Sequence, residues 1–377
     1  MRINHILGFV LAGSAFVGSA LVGAGVAQAG GFSRGTADTD ILYEEGNFST
    51  RAGVTFVSPT RKFSSHYDPG LVGKDYTESY VIPSVAFKAK LFDPLSCAAT
   101  YTQAYGGKVN YEGRLTPGKL NEEFTVDEYA LTCSVKFAVG EGNFYVLGGA
   151  FMERFDYERL NAVIPGVANA NLELSGEDYG YRLGIAYDIP KIAFRAQLLY
   201  RSATSYGADG RFDIPAMGVD VPAFGAGNLP QSLELKVQSG IAPGWLAFGS
   251  VKWTDWSVQR ALVVSVPAFP GANSRDIYNW KDGWTVTGGV GHAFNDRISG
   301  LASITWDKGV TTGWDHSSDT WTLALGGSVK DPFGGEFRGG VGISYLTSSD
   351  EPLNPNGNTT VDSGWAYALN IGYKLSF

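Results

Sequence analysis

Trp365, Tyr367, Leu369, Ile371, Tyr373, Leu375 and Phe377 occupy every second position up to the chain end, and Ala366, Ala368, Asn370, Gly372, Lys374 and Ser376 fill the places between. Successive side chains of a β-strand point to opposite faces, so this segment reads as a strand with one apolar face and one small or polar face. Val85, Phe87, Ala89 and Leu91 alternate in the same way with Ser84, Ala86, Lys88 and Lys90. Phe194, Ala196, Leu198 and Tyr200 alternate with Arg195, Gln197, Leu199 and Arg201. A soluble sandwich alternates too, so the pattern alone leaves two architectures open.

The connections separate them. Strands read near 49–58, 79–91, 95–107, 124–139, 142–157, 172–188, 192–204, 229–241, 244–258, 278–294, 297–309, 319–330, 335–346 and 364–377. Every second connection is short and carries turn residues, as in Phe92-Asp93-Pro94, Gly140-Glu141 and Asp331-Pro332-Phe333-Gly334. The connections between them are long: 59–78, 108–123, 158–171, 205–228, 259–277, 310–318 and 347–363. Strict short–long alternation is the topology of an outer-membrane barrel, with tight periplasmic turns and long outer loops. The expected fold is therefore all-β, a transmembrane antiparallel β-barrel of about fourteen strands over residues 49–377, preceded by a short plug segment. An even strand count puts both chain ends on the periplasmic side. Two long loops are apolar at their centres, 163–167 and 266–270, and are expected to fold over the barrel mouth.

The beginning of the chain fits export. Arg2 and His5 precede an apolar, glycine-rich stretch, and Ala27-Gln28-Ala29 has the A-x-A form of a cleavage site, so residues 1–29 read as a signal peptide. Composition agrees: only 18% of residues are charged, yet the mean hydropathy of −0.05 is neutral, the average of a lipid face and a polar lumen. A net charge of −8 argues against nucleic acid as a partner. The four histidines, His5, His66, His292 and His316, have no catalytic or metal-binding spacing, so neither enzyme, cofactor nor metal site is expected.

Several residues admit two readings. Lys88, Lys90, Arg195, Arg201, Arg338 and Lys374 fall on the inward parity. They form either a polar lumen network or a site where one cation meets a ligand carboxylate, for which Arg201 and Arg195 are preferred, with Lys88 and Arg338 behind them. Trp245, Trp253, Trp256, Trp280, Trp284 and Trp365 lie near strand ends and read as the aromatic girdle at the lipid boundary, with ligand stacking as the lesser reading. Residues 30–48 stand outside the strands as a tail in the periplasm or a plug in the lumen. Their acids Asp38, Asp40, Glu44 and Glu45 are most simply solvated, or else bind a cation or a lumen arginine. Cys97 and Cys133 share the lipid-facing parity and could form a cross-strand disulfide in an oxidising compartment. Two free thiols are an equal alternative.

Short motifs then follow one another in order: Ala29-Gly30-Gly31-Phe32, Val57-Ser58-Pro59, Val81-Ile82-Pro83, Tyr200-Arg201-Ser202, Leu229-Pro230-Gln231, Trp253-Thr254-Asp255-Trp256-Ser257 and Tyr278-Asn279-Trp280-Lys281-Asp282. In this order they resemble the FadL family of outer-membrane transporters, over most of the mature chain. The resemblance implies a fourteen-stranded barrel with an N-terminal hatch, here including Phe32, Arg34, Asp38 and Asp40. It also implies passive uptake of long-chain fatty acids or other hydrophobic molecules, with sideways exit beside an inward kink in the third strand. Gly106 and Gly107 are the kink candidates, or simply mark entry into a loop. The departure is the hatch itself: residues 41–46 stand where the family carries N-P-A, which implies a shortened plug. The expected partners are a hydrophobic small molecule, outer-membrane lipid and the barrel assembly machinery acting through Phe377, with the barrel a monomer in a Gram-negative outer membrane. The rival readings are a general porin for small polar solutes and a structural or adhesion barrel.

Overall fold

The computed structural model describes residues 30–377; the expected signal peptide lies outside them. The wall is one sheet of eighteen hydrogen-bonded segments. Four strands are each interrupted once, so these segments make fourteen antiparallel strands. The first six are β1 (Phe48–Thr60), β2 (Tyr80–Phe92), β3 (Leu95–Asn110), β4 (Gly118–Val139), β5 (Gly142–Ile164) and β6 (Ala168–Ile189). The interrupted four follow: β7 (Phe194–Arg201 and Thr204–Ile214), β8 (Val219–Leu229 and Ser232–Ala242), β9 (Trp245–Thr254 and Ala261–Ser265) and β10 (Ser274–Ile277 and Gly283–Ala293). The last are β11 (Ile298–Asp307), β12 (Thr320–Lys330), β13 (Gly335–Leu346) and β14 (Gly364–Ser376). β1 pairs with β14 from Ser49↔Ser376 to Thr60↔Trp365, which closes the barrel and leaves no edge.

Side-chain parity sets inside and outside as expected. On β14, Tyr367 and Ile371 are 54% and 57% exposed while Ala366 is 1% exposed. With no water-soluble partner to cover them, such outward rows suit lipid. Aromatic pairs ring the outer boundary of this belt: Tyr101–Tyr129, Tyr181–Tyr200, Trp306–Trp321 and Tyr345–Trp365. Beyond Tyr129, β4 runs on for about ten residues, on the order of 30 Å.

Here the structure corrects the loop expectation. Much of 108–123, 158–171, 205–228 and 259–277 is strand, because inward residues such as Ala170, Tyr206, Phe212, Ala223 and Leu262 are buried together in one apolar cluster inside the mouth. The 163–167 segment is a hairpin tip with Val167 74% exposed, so it does not fold over the mouth, whereas Val266 of the second apolar loop is fully buried.

Two of the expected girdle tryptophans are also inside. The interruptions of β9 and β10 turn Trp256 and Trp280 into the mouth, where they are 1% and 4% exposed. Trp245, Trp284 and Trp365 stay on the outer surface.

Cys97 and Cys133 stand directly opposite each other on β3 and β4, and the structure joins them in a disulfide.

Candidate functional site

The site begins where the wall forks. Pairing of β2 with β3 ends at Ser84↔Thr102. The ladder between β3 and β4 shifts register between Gln103 and Tyr105, a bulge that bends β3 away from its neighbour. The exposed edge of β3 is taken by the N-terminal segment: Arg34 N donates to Ala104 O, Gly35 N to Gln103 O and Gly106 N to Phe32 O, at 2.9, 2.8 and 2.9 Å. Residues 32–35 thus act as a short extra strand filling the fork.

Gly106 and Gly107 sit in this bent stretch and each makes room for a neighbour. A Cβ on Gly106 would stand 2.5 Å from the Arg34 guanidinium carbon, and one on Gly107 would stand 2.8 Å from the Phe124 ring. Arg34 is buried, bonded to Gln103 and stacked 4.2 Å over the Tyr80 ring, so it closes the space between β2 and β3.

The rest of the segment closes the short-turn end of the lumen. A 3₁₀ turn, Thr39–Tyr43, buries Ile41 and Leu42 against Ala86, Ala98, Tyr145, Leu147 and Ala186. Three of the segment's four acids are ion-paired, contrary to the simpler expectation. Asp38 pairs with Arg51 at 2.7 Å, Asp40 with Lys236 at 3.3 Å, and Glu44 with Arg51 and Lys374. Burial would raise the Glu44 carboxyl, but Arg51 and Lys374 outweigh it and hold it at about 2. Glu45 alone of the four is exposed.

The predicted lumen cations divide between these two regions. Lys88 donates to the Glu44 and Gly46 carbonyls and ties down the plug. Arg195 lies 4.4 Å over the Tyr43 ring and reaches Gln238 at 3.3 Å. Arg338 pairs with Glu336 at 3.0 Å and is buried. Arg201 sits in a buried network: it bonds Glu128 and Glu153, Arg182 also bonds Glu128, and Thr204 donates to Glu153. Two carboxylates therefore already neutralise the two guanidiniums. Parity would have shown Glu128, Glu153 and Arg182 as inward. Their common height could not be read without the strand register.

Above this network the lumen turns apolar. A cavity with about 520 Å³ of empty space, its open mouth included, lies between β3, β4, β5, the outer half of β7 and the β9 break, lined mostly by apolar side chains such as Phe124, Phe155, Tyr206, Leu229 and Leu262. Its floor includes Phe32. That ring stands 4.6 Å from Phe124, 5.3 Å from Tyr278, 4.6 Å from Trp280 and 6.0 Å from Trp256. A second cavity of about 500 Å³ lies below, lined by Ser33, Gly35, Ala37, Tyr105, Arg201 and Lys252. Consecutive residues, Phe32 and Ser33, thus face the two spaces. An outer loop supports the aromatic cage, since Trp280 Nε1 donates to Asp315 at 2.7 Å. Burial raises the Asp315 carboxyl to about 7, against the hydrogen bonds from Ser317 N and Trp280. Sequence reasoning missed this aromatic lining because it expected inward residues to be polar.

The comparisons with known proteins agree with this architecture. The family described as "Outer membrane protein transport protein (OMPP1/FadL/TodX)" matches residues 13–367. The chain is 22% identical to the "Long-chain fatty acid transport protein" of Salmonella typhi over 92% of its own length and 88% of the relative's. It is 20% identical to the protein of the same description from Escherichia coli (strain K12), over 92% and 89%. In fold it is similar to a Pseudomonas aeruginosa FadL homologue, with a TM-score of 0.73 at 12% identity over 90% of this chain and 94% of that one. It is also similar to the Pseudomonas putida toluene transporter TodX, with a TM-score of 0.64 at 13% identity over 94% and 96%. A fourteen-stranded closed barrel, a plugged fork in its wall and a family match across nearly the whole chain lead to one conclusion: this chain belongs to the FadL/TodX family of outer-membrane transport proteins.

Proposed function

We propose that this protein is a passive channel that takes hydrophobic small molecules, long-chain fatty acids or neutral hydrocarbons among them, across the outer membrane. The observation that carries this is the mostly apolar cavity floored by Phe32, beside the fork where β3 leaves β2. Small-ligand sites are concave and mostly apolar, and a lining dominated by aromatic and aliphatic side chains offers little to a hydrated solute. Cargo enters from the long-loop side, displaces Phe32 from its cage, and leaves sideways between β2 and β3 once residues 32–35, Arg34 among them, withdraw. That route spares an acyl chain the cost of crossing water, about 0.8 kcal/mol per CH₂. Both chain ends lie on the periplasmic side in this reading. The porin reading has less support, because Ile41 and Leu42 of the plug are buried across the short-turn end.

The test is uptake of labelled oleate and labelled 1-decanol by cells lacking their own transporter, with and without this protein at their surface. Uptake of either above control supports the channel, and Leu262→Asp in the cavity wall should abolish it. If neither cargo enters faster while surface expression is confirmed, the proposal falls.

A further inference from the structure

Among the described residues lining the apolar cavity, one polar side chain carries a buried atom without a partner. Gln259 lies in the break of β9, is 3% exposed, and lines the cavity. Its Oε1 is buried with no hydrogen-bond partner among the described residues, and its amide nitrogen bonds none of them. The backbone on either side is fully used: Gln259 N donates to Trp256 O at 3.0 Å, and Gln259 O accepts from Trp280 N at 3.4 Å. The fold thus holds the residue in place through its main chain and leaves its carboxamide unpaired in the cavity. Leaving a buried amide oxygen without a partner is costly, so this carboxamide, placed on a cavity wall, is suited to a partner that is not protein, a ligand or a water. Of the two ends, the oxygen is buried and the nitrogen is not, and neither bonds a described residue, so exchanging them leaves one hydrogen-bonding group facing the cavity in either case.

The charges around the same cavity are already matched. Lys108 pairs with Glu123 at 2.8 Å, and Glu122 with Lys119 at 2.8 Å while also accepting from Tyr157. Among the described residues lining the cavity, a carboxylate entering here finds no cation without an acidic partner, and it loses its water, which is far costlier than burying a neutral group. We infer that this cavity selects neutral hydrophobic molecules bearing a single hydrogen-bonding group, such as an alcohol, phenol or ketone, through the Gln259 carboxamide, and disfavours carboxylates. The inference rests on the hydrophobic-channel reading and specifies its cargo.

The test uses the full-length protein held in amphipol at pH 8, with tryptophan fluorescence following titration of 1-decanol, decanoate and n-decane. Trp256 and Trp280, beside the cavity, supply the signal. The inference expects 1-decanol to bind at least tenfold tighter than decanoate and several-fold tighter than n-decane. Gln259→Leu, similar in volume and without the unpaired amide, should weaken 1-decanol about fivefold while leaving n-decane within twofold. A neutral hydrogen bond is of that size. Lys108→Met should leave 1-decanol unchanged. Equal or tighter binding of decanoate, lost in Lys108→Met, would overturn the inference and make Lys108 the ligand's partner. Binding of n-decane with no advantage for 1-decanol would overturn it while sparing the channel. If none of the three binds, the inference and the channel reading fail together. Gln259→Leu removes a buried unsatisfied group, so it should melt no lower than the parent, and the binding comparison is made on folded protein.

Discussion

Arg201 is the residue on which a structural and a ligand-binding reading diverge most sharply. Its Nε lies 3.1 Å from Glu128 and its Nη2 bonds Glu153, while Glu128 and Glu153 are 1% and 2% exposed. Its Nη1 also donates to the Ser202 and Pro230 carbonyls, at the interruptions of β7 and β8. Arg201→Met keeps most of the volume over the Tyr105 and Phe151 rings but leaves Glu153 with only the Thr204 hydroxyl. Stranding one partner of a buried pair costs about 3–5 kcal/mol. Arg182 still compensates Glu128, so we expect the lower half of that range, about 3 kcal/mol. The double variant Arg201→Met/Glu153→Gln removes the orphaned charge and should recover more than half of the loss. The assay is urea unfolding in lipid vesicles, with the folded fraction followed by tryptophan fluorescence and extrapolated linearly to water. A loss below about 1 kcal/mol, or a double variant no more stable than the single, would refute the network argument. Oleate uptake that collapsed in both variants at unchanged stability would instead restore Arg201 as the ligand's cation.

Three further outcomes follow from the geometry. Gly106→Val places a side chain where the Arg34 guanidinium now lies, 2.5 Å from its central carbon, so the plug at the fork must shift; uptake of labelled 1-decanol should rise severalfold, and an unchanged rate at equal surface expression would show that residues 32–35 are not the barrier. Asp315 keeps its proton to about pH 7 when folded but loses it near pH 4 when unfolded, so the folded state binds more protons in between and stability falls as pH rises through that window, by a few kcal/mol at most; Asp315→Asn should flatten the urea midpoint between pH 4 and 7, and an identical slope in the variant would contradict this. Thiol counting on unreduced, denatured protein should find no free thiol, whereas two would remove the Cys97–Cys133 bridge.

Alternation and turn chemistry made the wall legible. Trp365 to Phe377 states its own pleat, and each short turn fixes where one strand hands over to the next, so all fourteen strands could be placed before any contact was known. What parity cannot supply is height. Arg201 and Glu128 are 73 residues apart and both point inward, but only the register of four successive strands brings them to one level. The same gap hid Asp38 and Glu44 from Arg51, since no local pattern says which wall a plug residue will face. Trp256, Gln259 and Trp280 were hidden for another reason. They lie where β9 and β10 are interrupted, and a broken strand has no parity to read. Phe124, Phe155 and Tyr157 were legible as inward but contradict the rule that a barrel interior is polar. A local rule broken by several residues at one height is better taken as a mark of function than as noise. Apart from the patch that seats the plug, the break is concentrated at the mouth, between a polar network below and ion-paired strand tips above. That is where an apolar lumen would have to lie if cargo is to leave water before it meets the fork in the wall.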